Sequence, residues 1–177
     1  PQTFEVDYQV IPREGKPRGR RAVKPRGLCG SGIIDGVAEL YRAEVIERSG
    51  RFRKDLDCPR LVSVEGQPEF VIARADESAI GRDITISQGD VRNVQLAKAA
   101  LYAGARMLMD KLGVEKVDRV VLAGAFGSYI DPREALVLGL FPDCPLDRIH
   151  AVGNAAGDGA RIALLNRHKR REAEDVA

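Results

Sequence analysis

A chain of 177 residues fits one domain of ordinary size, roughly 100 to 200 residues, and is too short for a second independent core. With 44% hydrophobic and 31% charged residues, it has the composition of a folded globular protein rather than a disordered one. The formal net charge of +2 is unevenly spread: residues 12–26 hold seven basic residues against one acid, residues 167–171 add four more positive charges, and the remainder is acidic.

No apolar run approaches the roughly 18 residues of a membrane span, and the N-terminus lacks a secretory signal pattern, so a cytoplasmic protein without membrane contact is expected. Cys29, Cys58 and Cys144 are widely spaced with no C-x-x-C pair. Neither a disulfide framework nor a thiolate metal cage is readable, and His150 and His168 complete no zinc set. Residue 1 is Pro in mid-phrase, which reads as residues 1–177 being a single-domain piece of a longer protein.

The stretch Phe4 to Ile11 alternates Phe4, Val6, Tyr8 and Val10 against Glu5, Asp7 and Gln9, which predicts a half-buried strand. The basic, Pro- and Gly-punctuated residues 12–26 follow. Without aromatic residues for base stacking, they read as a solvated loop and not as a nucleic-acid arm. From Ser31 the apolar positions Ile34, Val37, Ala38, Tyr41 and Val45 recur at helical spacing, so a helix begins at the turn GLCGSG.

Short strands are predicted at Leu61 to Val64, Phe70 to Ala73 and Asp83 to Ile86. Ser87 with Asp90 three residues on opens a helix of about 25 residues, with Val94, Ala97, Leu101, Ala105, Leu108 and Leu112 on one stripe and Gly113 as its stop. Gly104 within it costs about 1 kcal/mol relative to Ala, which suggests close packing against another backbone. Asp118 to Gly124 reads as a fully buried strand, and Asp131 to Leu140 as a helix with an N-cap Asp and Pro at its first position. A strand at Ile149 to Val152 precedes a helix from Ala155 to Arg167, and residues 167–177 read as a charged tail. The alternation of strand, glycine turn and helix means parallel strands with crossover helices.

Three glycine clusters are candidates for chemistry: Gly27-Leu28-Cys29-Gly30-Ser31-Gly32, Gly124-Ala125-Phe126-Gly127, and Gly153-Asn154-Ala155-Ala156-Gly157-Asp158-Gly159. Each lies at or just before a helix N-terminus, where free N–H groups and the dipole favour an anion. A nucleotide across the carboxyl ends of the strands is the physical suggestion; turn geometry alone is the plainer account of any one cluster. No P-loop, Rossmann fingerprint or nucleophile elbow is present. Cys29 is either a thiolate activated by the helix N-terminus or, more simply, a small buried turn residue. Asp35, Asp131 and Asp158 are candidates for Mg²⁺ or water, against helix capping and dipole compensation. Neither His150, on a strand, nor His168, in the basic tail, has an evident catalytic partner.

Four segments carry a resemblance: GLCGSGIIDGVAELYRAEVIERSGRF, ITISQGDVRNVQLAKAALYAGARMLM, DRVVLAGAFGSYIDPREALVLGLFP and AVGNAAGDGARIALL. In this order, from Gly27 to Leu165, they resemble the C-terminal domain of the reductive activators of corrinoid proteins. Their turns are similar, more distantly, to those of the acetate and sugar kinase, heat-shock and actin ATPase superfamily. The resemblance implies an α/β, ribonuclease-H-like fold, a mixed sheet with helices on its faces. It also implies an ATP-dependent activator that returns Co(II) corrinoid proteins to Co(I) for methyl transfer. ATP with Mg²⁺ would be bound by Gly30, Ser31 and Gly32 at the phosphates and by Gly124, Ala125, Phe126 and Gly127 around the adenosine, with Gly153 and Asn154 completing that wall.

Full-length members of that family carry a ferredoxin-like 2Fe-2S domain, and many relatives are described as metal-binding. The cysteine motif for such a cluster is absent from this sequence, as is an Asp-x-Gly phosphate loop. The expectation is a chain with no catalytic or metal-ligating residue of its own and weak ATP binding. Its partner would be a corrinoid protein, with no nucleic acid involved and a homo-oligomer compatible with the sequence. The alternative is a docking module for a corrinoid or iron-sulfur protein, its glycines serving turns alone.

Overall fold

A computed structural model describes residues 4–11, 23–124 and 126–176. The chain forms two compact units, residues 1–99 and 100–177, and each is described by itself. The basic segment 12–22 and Ala125 lie outside the described residues.

In the first unit, helix α1 (Gly30–Arg42) buries Ile34, Val37 and Ala38 as the apolar spacing predicts, with Leu40 in place of the exposed Tyr41, while Val45 is buried just beyond the helix. Strands β1 (Leu61–Val64), β2 (Gln67–Ala73) and β3 (Ile84–Ser87) form an antiparallel sheet in the order β1-β2-β3. The β1–β2 hairpin turns on Glu65 and Gly66, both at positive φ (50° and 78°), the backbone of a two-residue turn whose twist matches its strands. That turn fixes the register: Leu61 faces Phe70 and Phe70 faces Ile86, while Val62 faces Glu69 and Glu69 faces Ser87. Directly opposed residues share a face. Leu61, Phe70 and Ile86 therefore lie on one face, where Ile86 is fully buried and comes so close to α1 that a Cβ on Gly36 would sit 2.5 Å from its Cδ1. Val62, Glu69 and Ser87 lie on the other.

Helix α2 (Gln88–Leu112) runs for 25 residues. At its start Asp90 Oδ2 accepts from the Ser87 N–H (2.8 Å) and hydroxyl (2.6 Å), and the Asp90 N–H returns a bond to Ser87 Oγ (3.2 Å), a reciprocal cap. Gln88 donates to Gly50 O (2.7 Å) and accepts from the Phe52 N–H (3.2 Å), and Gln95 donates to Ser49 O (3.0 Å). The two glutamines thus hold the loop that follows α1. Gly113 ends α2 at φ 65°, as its placement predicts.

The second unit contains β4 (Val120–Leu122) and β5 (Ile149–Ala151), a parallel pair, with α3 (Pro132–Leu138), α4 (Ala155–Leu165) and α5 (Arg167–Val176). Asp131 caps α3 by accepting from the Arg133 N–H at 2.8 Å, and Gly139 closes it at φ 68°. The α/β class expected from the sequence is found, with the antiparallel and parallel strands in separate sheets among the described residues.

Several local expectations are corrected. Phe4 to Ile11 forms no strand, although Phe4, Val6 and Val10 remain half-buried and Glu5, Asp7 and Gln9 exposed; an alternating pattern specifies a face but supplies no partner strand. The segment around β4 is not fully buried: Val121 is 50% exposed, because β4 pairs with β5 alone among the described residues. Gly104 meets nothing within 4 Å of a Cβ, so no close packing explains it. The α2 stripe is buried only near its start, at Val94, and lies open at Leu101 (59%), Leu108 (62%) and Leu112 (74%). Residues 167–176 are helical: Arg170 donates to the carbonyls of Ala163 (2.9 Å) and Leu164 (3.2 Å) at the end of α4, where a cation meets unpaired helix-terminal acceptors.

Candidate functional site

The first glycine turn opens α1. Cys29 is its N-cap, with Sγ accepting from the Gly32 N–H at 3.3 Å and lying 3.2 Å from Ser31 Oγ. These two contacts, Ser31 foremost, hold the thiol below its ordinary pKa, since both favour the thiolate. Cys29 is exposed, which corrects its reading as a small buried turn residue. The N–H groups of Gly30 and Ser31 precede any acceptor within the helix, so this turn points donors and the positive helix end outward. Asp35, one turn on, is half-buried.

The second and third turns are brought together at the carboxyl ends of β4 and β5. The Gly124 N–H donates to Gly153 O at 2.7 Å, which also accepts from the Ala155 N–H at 2.9 Å. Both glycines have positive φ (103° and 69°), and a Cβ on either would meet nothing within 4 Å. Bare backbone therefore faces open space, which a flat base can approach. A short helical turn, Phe126–Ser128, follows, held by the Ser128 N–H (3.3 Å) and hydroxyl (3.1 Å) on Gly124 O. Gly127 is closely packed: its Cβ would stand 3.2 Å from Leu122 Cβ and 3.4 Å from the Leu122 carbonyl carbon.

Asn154 caps α4, its Oδ1 accepting from the Gly157 N–H at 3.1 Å. A Cβ at Gly157 would come 2.5 Å from Asn154 Nδ2, so glycine there makes room for the cap. Asp158 is paired with Arg161 at 3.2 Å, both largely exposed, and Asp131 is a cap; for these two acids the capping and dipole account is the one the geometry bears out. His150 is exposed on β5, and His168 lies 2.9 Å from Glu172 within α5.

Gly30, Ser31 and Gly32 thus sit in the first unit, and Gly124, Phe126, Gly127, Gly153 and Asn154 in the second; Ala125 lies outside the described residues. No group of three or more His, Cys, Asp or Glu able to hold a metal occurs among the described residues. Cys58 and Cys144 are buried. A 2Fe-2S cluster therefore finds no ligand set there. A nucleotide does fit the character of the turns, with helix N-terminal donors at α1 and exposed glycine backbone at Gly124 and Gly153.

The profile of the C-terminal ASKHA domain of RACo matches residues 1–177. The chain belongs to this family. It is 42% identical over 174 residues to the corrinoid activation enzyme RamQ of Eubacterium limosum, a match covering 93% of this chain and 28% of that protein. Among solved structures, a reductive activator for a corrinoid iron-sulfur protein superposes with a TM-score of 0.77 at 39% identity, over 84% of this chain and 24% of that one. The chain spans about a quarter of the length of these relatives. As an RACo-type ASKHA domain it has the actin-like ATPase fold that its sequence implies.

Sequence reasoning missed the loop 74–83, whose Arg82 lines a cleft in the first unit together with Arg26, the last residue of the segment read as a solvated basic loop. No periodicity or motif marks an irregular loop; its order comes from hydrogen bonds between residues of unremarkable type.

Proposed function

We propose that this chain is the nucleotide-binding part of an ATP-dependent reductive activator, acting on a corrinoid protein in the cytoplasm. The observation that carries the reading is the junction of Gly124 and Gly153 at 2.7 Å, which sets two glycine turns side by side at the ends of parallel strands, where α/β folds bind ligands. Gly30, Ser31 and Gly32 would contact phosphates, Gly124, Ala125, Phe126 and Gly127 the adenosine, and Gly153 and Asn154 the adjoining wall. ATP with Mg²⁺ would supply binding energy that differs between two states of the activator, which is what any ligand-driven switch requires. The electron that takes Co(II) to Co(I) would come from a 2Fe-2S centre outside this chain.

Calorimetric titration with Mg-ATP tests this. Gly127→Val forces a side chain against Leu122 and should weaken binding at least tenfold, while Gly104→Val, facing open space, should leave it unchanged. Equal affinity in all three proteins would sink the reading.

A second reading, a docking module without nucleotide function, draws on the exposed Leu101, Leu108 and Leu112, since contiguous exposed apolar surface marks interaction sites. It requires that a corrinoid protein bind with the same affinity whether or not Mg-ATP is present.

A further inference from the structure

The first unit contains a cleft of about 560 Å³, within the range of roughly 300 to 1,000 Å³ typical of small-molecule sites. It is lined on the sheet by Val62, Val64, Glu69 and Thr85, and also by Leu28, Ile33 and Ile80. All of it belongs to residues 26–90 and none to the glycine turns of the second unit, although Leu28 and Ile33 flank the first turn, Gly30 to Gly32.

The rim is built, not loose. Lys24 Nζ donates to Asp76 O, and the Ala79 N–H to Pro25 O at 2.8 Å, which staples the segment before Gly27 onto the loop 74–83. Within that loop, buried Ser78 donates to Ala75 O (3.2 Å) or Arg82 O (2.6 Å), and Asp83 Oδ1 accepts from the Ala75 N–H at 2.7 Å. Arg26, which follows Pro25, and Arg82, near the end of that loop, both line the cleft. Among the described residues neither guanidinium has an ion-pair or hydrogen-bond partner.

The other charges are differently placed. Glu69 Oε2 accepts from Thr85 Oγ1 at 2.5 Å midway along β3, and Asp90 follows β3, with Oδ2 taken by Ser87. Each of these carboxylates keeps a second oxygen able to accept. The cleft therefore offers two unpartnered guanidinium groups, the carboxylates of Asp83, Glu69 and Asp90, and the apolar side chains of Val62 and Val64.

We infer that this cleft binds a phosphate ester whose body has an apolar face and hydrogen-bond donors, the chemistry of a nucleoside monophosphate. The phosphate takes Arg26 and Arg82, whose planar forks suit it; the ring lies on Val62 and Val64; amino or hydroxyl groups donate to Glu69 and Asp90. Neither inorganic phosphate nor a sugar phosphate uses the whole site.

An NMR titration of the chain with AMP, ribose 5-phosphate and inorganic phosphate tests it. AMP should shift the amides of Leu28, Ile84 and Thr85, and bind at least tenfold more tightly than either other probe. The double variant Arg26→Glu/Arg82→Glu should lose at least tenfold in AMP affinity with an unchanged Tm, and Gly127→Val should keep those shifts. Equal binding of the three probes, or retention of AMP affinity in the arginine variant, would overturn the inference. Shifts confined to Gly124, Gly153 and Asn154 and lost in Gly127→Val would also overturn it, while leaving the glycine-turn reading intact.

Discussion

Cys29 shows how much one residue's surroundings decide. Its sulfur serves as a helix cap, accepting from the Gly32 N–H and hydrogen-bonded to Ser31 Oγ, and is exposed. Because its folded pKa is lowered, the thiolate forms at lower pH than in the unfolded chain. Stability from this group is present above the unfolded pKa and is lost as pH falls through the folded one. Alkylation by iodoacetamide should accordingly set in at lower pH in the native protein than in urea, where Cys29 has its ordinary pKa. Ser31→Ala removes the leading cause and should move the native onset upward; an unmoved onset would show that Ser31 does not tune the thiol. Sequence located the turn but not this geometry, since a capping thiol and a buried one look alike in a string of letters. Gly36 makes a comparable point in the core. Gly36→Val drives a side chain into fully buried Ile86 and should cost about 1 to 3 kcal/mol, the usual penalty of overpacking, by urea unfolding.

Elements that carry their own start and stop signals were legible. The Ser87–Asp90 cap, Asp131 before Pro132, and Gly113 at a left-handed end are all where local chemistry puts them, whereas Gly139 ends α3 before the Leu140 to which its apolar pattern runs. Asp131→Ala should remove about 1 kcal/mol, read as a lower urea midpoint with unchanged slope, and Asp131→Asn should restore most of it. What was not legible depends on partners distant in sequence. Phe4 to Ile11 has the alternation of a strand but no ladder. β4 is a run of apolar residues whose single neighbour leaves Val121 half open. The glutamines of the motif containing Ser87 to Gln95 were visible as a resemblance, yet their work, clamping the 49–52 loop, appears only when that loop is folded beside them. Among the candidate site residues, the pairing of Gly124 with Gly153 was implied by two strand-turn-helix units in succession. The cleft rimmed by Arg26 and Arg82 was not, because hydrogen bonds within a loop leave no periodic trace.

At the scale of the molecule, the near-neutral charge and the apolar surface point the same way, toward association. Lys169 and His168 are engaged by Glu172, and Arg170 by helix-end carbonyls, so part of this basic cluster is held in local contacts. Meanwhile Leu101, Leu108 and Leu112 stand open along α2, joined by Met107 at 72% exposure. A net charge close to zero gives little repulsion to oppose association through such a face. The chain should therefore self-associate as its concentration rises, and Leu101→Lys/Leu108→Lys/Leu112→Lys should keep it monomeric in sedimentation at concentrations where the parent is not. The three leucines contribute little to the folded core, and exposed substitutions usually change stability by no more than about 0.5 kcal/mol each. The variant's Tm should therefore fall by no more than a few degrees. A collapse of Tm would instead mean that the α2 stripe is buried in solution, as its helical spacing alone would have it.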